Sequence, residues 1–360
     1  MLTNLKKTSI VLLFGSVLTA CGSGGTSSPS EVVKGPDADN DGISDALDQC
    51  PDTVAGTVVD ETGCDFEYEG DEINVNNANP AWPSFTTFND TTPAGKKWQK
   101  VENLSDEFAS WDASKWQKTT WNYGNTPVFM QNQNSGVTAG NLWIKATLNE
   151  ESNDAIGKTA DQWFESSRVR SKAKIKFPMY TESRIKVANI SAYSTYWLNN
   201  GDINNRDEID IIEINPAPTY TGTRGEYVYA DYPWEMHSQY FIVQGGEVNT
   251  ERDKGNSINK PDDSDLSANN TLHGVRWIDD YHVFGMWWKD EHNVQFYLNG
   301  EPVGSVQTIT AFSLEQSIIW DLWTQDSNWI GGLPAKNDLL NDNNNTMKVD
   351  WIRTWTLVDE

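Results

Sequence analysis

Residues 206–215 read RDEIDIIEIN, which sets Asp207, Glu208, Asp210 and Glu213 among isoleucines in what is otherwise a strand. A buried charge must be paired or neutralised, so the segment needs a core on one face and a polar surface on the other. In a regular strand Glu208 and Asp210 share a face, while Glu213, an odd number of residues beyond Glu208, points away from them into the core. A β-bulge between Asp210 and Glu213 would insert one residue and return Glu213 to the face of Glu208. The expectation is a cleft wall carrying three acids, with the isoleucines filling the core behind it.

The 360 residues suffice for one large domain or two ordinary ones. Short Val/Ile/Tyr/Trp runs broken by Asn, Gly, Asp and Pro predict a mostly β chain with little amphipathic helix. The 17 tryptophans exceed what a core of this size needs, and some should be exposed platforms for a flat ligand such as a sugar ring. A net charge of -25 repels nucleic acid and anionic lipid, so neither is an expected partner.

Two carboxylates on one surface suit glycoside hydrolysis. A pair about 5 Å apart permits a nucleophile and an acid/base and predicts retention of anomeric configuration. Negative charge from the carboxylate between them would raise the pKa of the acid and keep it protonated.

Glu208-Ile-Asp210-Ile-Ile-Glu213 resembles the ExDxxE signature of glycoside hydrolase family 16. The resemblance implies a β-jelly-roll sandwich of two antiparallel sheets with an open concave cleft. It implies Glu208 as nucleophile, Asp210 as assisting acid and Glu213 as general acid/base. SDEF (105–108), TAGNLWIKAT (138–147), SSRVRSKAKI (166–175), STYWLNN ending at Asn200, the 281–303 hairpin and MKVDWIRTW (347–355) follow in the family's order, so the likeness spans about residues 95–358.

Within the family, WNYGNTPVFM near Trp121, MHS at 236–238 and the stretch from NWIGGLP to the closing strand look most like β-agarases. The resemblance therefore implies an endo-acting retaining β-agarase working on agarose or a related red-algal galactan. The alternatives are a porphyranase or κ-carrageenase acting on a sulfated galactan, or a carbohydrate-binding protein without catalysis. Arg168, Arg170, Lys172, Lys174 and Lys176 recur at every second position. They read either as a grip on sulfate esters or, preferred here, as the solvent face of a strand outside the cleft. Candidate substrate contacts are Trp121, Asn122, Trp197, His237 and Trp323, with Trp329 further along. Glu107 and Asp350 match family positions near a structural calcium. No phosphate loop or HExxH pair is present, so no redox cofactor is expected.

The amino terminus reads MLTNLKKTSIVLLFGSVLTAC, with a cationic start and an apolar run too short to span a bilayer. LTAC resembles a lipobox, implying a signal peptide over 1–20 and lipidation at Cys21, hence an exported lipoprotein of the outer membrane or cell surface; a plain cleaved signal would give a secreted protein. Residues 21–36 form a flexible tether. Residues 37–48 place Asp37, Asp39, Asp41, the Ile43 carbonyl, Asp45 and Asp48 at the oxygen-ligand spacing of an EF-hand-type loop, implying structural Ca2+. The segment 37–66 resembles a thrombospondin type 3 repeat. Cys50 and Cys64, exported together, are expected to form a disulfide. An acidic linker (67–81) leads to the catalytic domain at 82–360, expected to act as a monomer.

Overall fold

The computed structural model describes residues 36, 38–39, 45–46, 48–51, 79–120, 127–149, 161–225, 227–248 and 254–360. The chain divides into two units, Met1–Asp65 and Phe66–Glu360. The signal segment, Cys21, Asp37, Asp41, Ile43, Cys64, Trp121 and Asn122 lie outside the described residues. In the first unit Cys50 is disulfide-bonded to a partner that also lies outside them.

The second unit is an all-β sandwich, as its short β-branched and aromatic runs predict, and its described residues include a single α-helix, Phe85–Asn89. One sheet carries the acidic strand. In chain order it comprises β1 (Trp116–Thr119), β2 (Arg168–Ser171), β3 (Tyr193–Gly201), β4 (Arg206–Ile214), β5 (Glu235–Gln244), β6 (Ser257–Lys260), β7 (Asp263–Ser264) and β8 (Ser317–Trp323). Their spatial order is β7-β6-β5-β4-β3-β8-β2-β1, and Glu247–Val248 adds a ninth strand against β5. The second sheet sets the strand Met179–Lys186 between His282–Trp288 and Thr346–Asp359.

Alternation decides what fills the space between the sheets. Tyr196, Leu198, Ile209, Tyr240, Trp320 and Leu322 of the first sheet are fully buried in one cluster with Ile185, Phe284, Met286, Trp288 and Met347 of the second. Tyr196 stacks on Trp320 at 5.6 Å, and Trp320 meets the edge of Trp116 at 5.1 Å. Burying rings of this size contributes roughly 2 kcal/mol or more each against exposure. Many of the tryptophans are thus core residues.

Asp207 shows how a strand tolerates a carboxylate on the wrong face. It is buried, and it accepts the backbone N–H groups of Ser313 and Leu314, the latter at 2.7 Å. At the end of β3, Gly201 sits at φ 112°, where a Cβ would lie 2.0 Å from the Asn205 carbonyl oxygen. Only glycine permits the tight turn into β4.

Candidate active site

The register between strands builds the site as cross-strand ladders. Trp197 stands opposite Asp210, and Tyr196 opposite Ile212, so Ile211 is the extra residue of a bulge in β4. On the other side Asp210 faces Gln239 and Glu213 faces His237, with the register shifting between them. The irregularity lies where the odd spacing of the carboxylates demands it, and Glu208, Asp210 and Glu213 all line one cavity of about 560 Å³.

Three rows of facing residues cross the sheet. The first runs Thr119, Arg168, Asp321, Thr195, Glu213, His237. The second runs Gln117, Arg170, Ile319, Trp197, Asp210, Gln239 and ends at Lys254. In the third, Asn199 faces Glu208, and Glu208 faces Phe241. Residues in one row point to one face, which brings cations from β2 to the acids of β4.

Hydrogen bonds orient two of the acids. Asn199 Nδ2 donates to Glu208 Oε2 at 2.8 Å, and the Arg206 guanidinium lies 3.5 Å from the same oxygen. Gln239 Nε2 donates to Glu213 Oε2 at 2.7 Å. Burial raises the Glu208 pKa against the opposing pull of Arg206 and Asn199. Asp210 is raised well above the ordinary carboxylate range, first by burial and then by the charges of Glu208 and Glu213 on either side. The middle carboxyl is thus biased toward holding a proton rather than standing as a charge that tunes its neighbours.

The positions of the other sequence candidates differ. Trp197 lines the cavity with the Arg168 guanidinium 5.1 Å over its ring. Trp323 and Trp329 also line it, packed together at 5.4 Å. His237, directly opposite Glu213, is not among the lining residues. It is boxed by the rings of Tyr193, Tyr227 and Tyr232, and its Nε2 lies 3.2 Å from Glu235. Glu107 is forked by Arg353, and Asp350 accepts from Arg184.

The basic run departs from its expected place outside the cleft. β2 ends at Ser171 and lies within the cleft sheet, so Arg168 and Arg170 line the cavity. Arg168 is buried and paired to Asp321 at 2.9 Å, an ion pair that fixes its guanidinium. Lys172 and Lys176 instead donate to the loop carbonyls of Ala113 and Ser313, and Lys174 to the Asn200 side chain near the end of β3. Sequence reading also missed Asn199, Gln239 and Asp321, whose partners are set by register and carry no local motif.

A two-sheet sandwich with paired carboxylates in a concave wall is the architecture of a polysaccharide hydrolase. The profile described as "Beta-porphyranase A-D, GH16 domain" matches residues 98–357, and the chain belongs to glycoside hydrolase family 16. It is 26% identical over 288 residues to Beta-agarase AgaB34 of Agarivorans albus, covering 73% of this chain and 57% of that protein. It is 26% identical over 298 residues to Beta-porphyranase B of Phocaeicola plebeius, covering 74% and 87%. The crystal structure of porphyranase B from Zobellia galactanivorans superposes with a TM-score of 0.62 at 25% identity, covering 77% of this chain and all of that one.

Proposed function

We propose that the chain is an endo-acting hydrolase that cuts β-1,4-galactosidic bonds of a red-algal galactan with retention. The observation that carries this reading is the bulge that gathers Glu208, Asp210 and Glu213 in one cavity. Glu213 protonates the leaving oxygen while Glu208 attacks the anomeric carbon and forms a glycosyl-enzyme. Water then attacks that carbon as its bond to Glu208 breaks, freeing the carboxylate, and Glu213 takes the water's proton. Asn199 and Gln239 hold the two carboxylates to their tasks. Asp210, inclined to stay protonated between two acids, limits the negative charge in the site before substrate binds.

For the substrate, the reading preferred on local charge is a galactan bearing sulfate esters, of the porphyran type. Arg168, Arg170 and Arg206 line the cavity of a chain whose net charge is -25. Such local cations favour an anionic ligand over the global field. Agarose is the second reading, supported by the agarase-like segments near residues 236–238 and 328–355.

The test is product analysis on porphyran, carrageenan and agarose. Glu208→Gln and Glu213→Gln should each lower the rate by roughly 10³-fold. Products of inverted configuration by NMR would overturn the mechanism, and reducing ends from agarose alone would overturn the sulfated substrate.

The amino-terminal assignments extend the same reading. Lipidation at Cys21 would tether a monomeric enzyme to the outer membrane or cell surface, and Cys64 would pair with Cys50. In the 37–48 loop, Asp39, Asp45 and Asp48 offer the all-oxygen donors that suit Ca2+. Asp45 Oδ1 accepts the Ala38 N–H at 2.8 Å, and the described residues alone hold no cluster of three acids that could take a metal. Mass spectrometry of the mature protein and melting with and without calcium test these points.

A further inference from the structure

The cleft-face row that holds Glu213 also holds a fourth acid. Asp321 lies on β8, opposite Thr195, which in turn stands opposite Glu213. Asp321 is fully buried and does not line the cavity, whereas Thr195 and Arg168 on either side of it do. Its two carboxylate oxygens are divided between them. Oδ2 accepts Arg168 Nε at 2.9 Å and Oδ1 accepts the Thr195 hydroxyl, while the Asp321 N–H donates back to Thr195 Oγ1 at 3.2 Å. The guanidinium so held lies 5.1 Å over the Trp197 ring.

Packing alone does not ask for this pair. Ile319 and Trp323 flank Asp321 on the same face of β8, and both are apolar. Apolar residues often replace a buried ion pair at no loss of stability, so charges kept here point to the chemistry beside them. Glu208 is faced by Arg206 and Asp210 from its own strand, by Arg168 from β2 and by Asp321 from β8. β3 supplies the Asn199 amide and β5 the uncharged Phe241, with Arg170 and Glu213 on the same cavity wall. Arg168 favours the Glu208 anion and Asp321 opposes it, and Asp321 also disfavours the Asp210 anion. The two partners thus act on one acid in opposite directions.

We infer that Asp321 is a positioning residue for the reaction, fixing where the Arg168 charge and the Thr195 hydroxyl stand relative to Glu208 and Glu213. The inference deepens the retaining-hydrolase reading given above and rests on it. Buried off the cavity, Asp321 touches no substrate. It acts through Arg168, whose charge it offsets at the nucleophile, and through Thr195, whose hydroxyl it aims within the row of Glu213. Without the carboxylate a buried guanidinium would stand uncompensated beside the acids.

The experiment records kcat/KM against pH, on the galactan the parent degrades fastest, for the parent, Asp321→Asn, Arg168→Gln and the double variant. Asp321→Asn keeps the side-chain shape and should lower kcat/KM roughly tenfold. Its acidic limb should move down by about one pH unit, because unopposed Arg168 favours the Glu208 anion. Arg168→Gln should move that limb up, and the double variant should return it to the parent's position. A role in folding alone would lower the amount of active protein and leave the limb in place. Limbs unmoved in the single variants, or a double variant that keeps the Asp321→Asn limb, would overturn the inference. Should Asp321→Asn fail to fold, an unmoved limb in Arg168→Gln overturns it alone. A parent inactive on every galactan, or giving inverted products, would instead overturn the hydrolase reading beneath it.

Discussion

Gln239 Nε2 donates to Glu213 Oε2 at 2.7 Å, although the register sets Gln239 opposite Asp210 rather than Glu213. The bulge brings the side chain of Glu213 within reach of the residue that faces its neighbour. One amide is thereby set beside two of the acids and constrains which oxygen of Glu213 is left for the substrate.

Removing that amide should therefore affect chemistry more than binding. Gln239→Leu loses a hydrogen bond to a charged group, worth about 1.5–3 kcal/mol, and kcat should fall roughly 10- to 100-fold with KM little changed. Steady-state kinetics on the preferred galactan checks this. A change confined to KM would place Gln239 on the substrate instead.

Asp210 couples stability to activity. Its folded pKa is raised by burial and by Glu208 and Glu213. Below the unfolded carboxylate pKa both states hold the proton and no penalty exists. As pH rises from there toward the folded pKa, the folded state retains a proton the unfolded chain has lost, so stability falls and then levels. Asp210→Asn should remove this loss, raising the melting temperature at pH 7 but not at pH 3, by roughly 2–4 °C for each kcal/mol relieved. The same variant should lose most of its turnover, a trade expected of acids crowded for catalysis.

Asp207 should behave in the opposite way. Asp207→Ala leaves the Ser313 and Leu314 N–H groups without their acceptor. Ser313 is exposed and Leu314 half-buried, so water replaces the acceptor in part and the cost should be about 1 kcal/mol. The melting temperature should drop by a few degrees while kcat of the folded fraction is retained. Thermal melts paired with active-site titration separate the two effects.

A second pH-dependent contribution lies far from the cleft. Glu182 is buried in the second sheet beside Tyr180 and accepts both the N–H and the hydroxyl of Ser84, which leads into the helix Phe85–Asn89. Burial outweighs those donors and the Arg353 charge, pushing its pKa from 4.5 to about 7. Stability should fall as pH rises across that window, by about 3 kcal/mol at most. Glu182→Gln should flatten the slope, as melts between pH 4 and 8 would record.

The sandwich was legible because its cause is local. Alternating isoleucines and aromatics declare strands, and the odd interval from Glu208 to Glu213 declares a bulge, since no other device returns both to one face without burying a bare charge. The basic run misled because period-two spacing fixes which side chains share a face but not which way that face looks. Arg168 and Arg170 turn inward since β2 pairs with β8 inside the cleft sheet. His237, expected as a cleft contact from its place beside the acidic strand, faces Glu213 but lies off the cavity lining, in a box of tyrosines supplied by residues 193, 227 and 232.

The amino-acid order alone determined the strands, the three acids and the displacement that unites them, because backbone geometry over a few residues is a local property. The tertiary structure decided which distant side chains meet those acids. Asn199, Gln239, Arg168 and Asp321 acquire their roles only through strand register, and register is set by packing summed over both sheets rather than by any one segment.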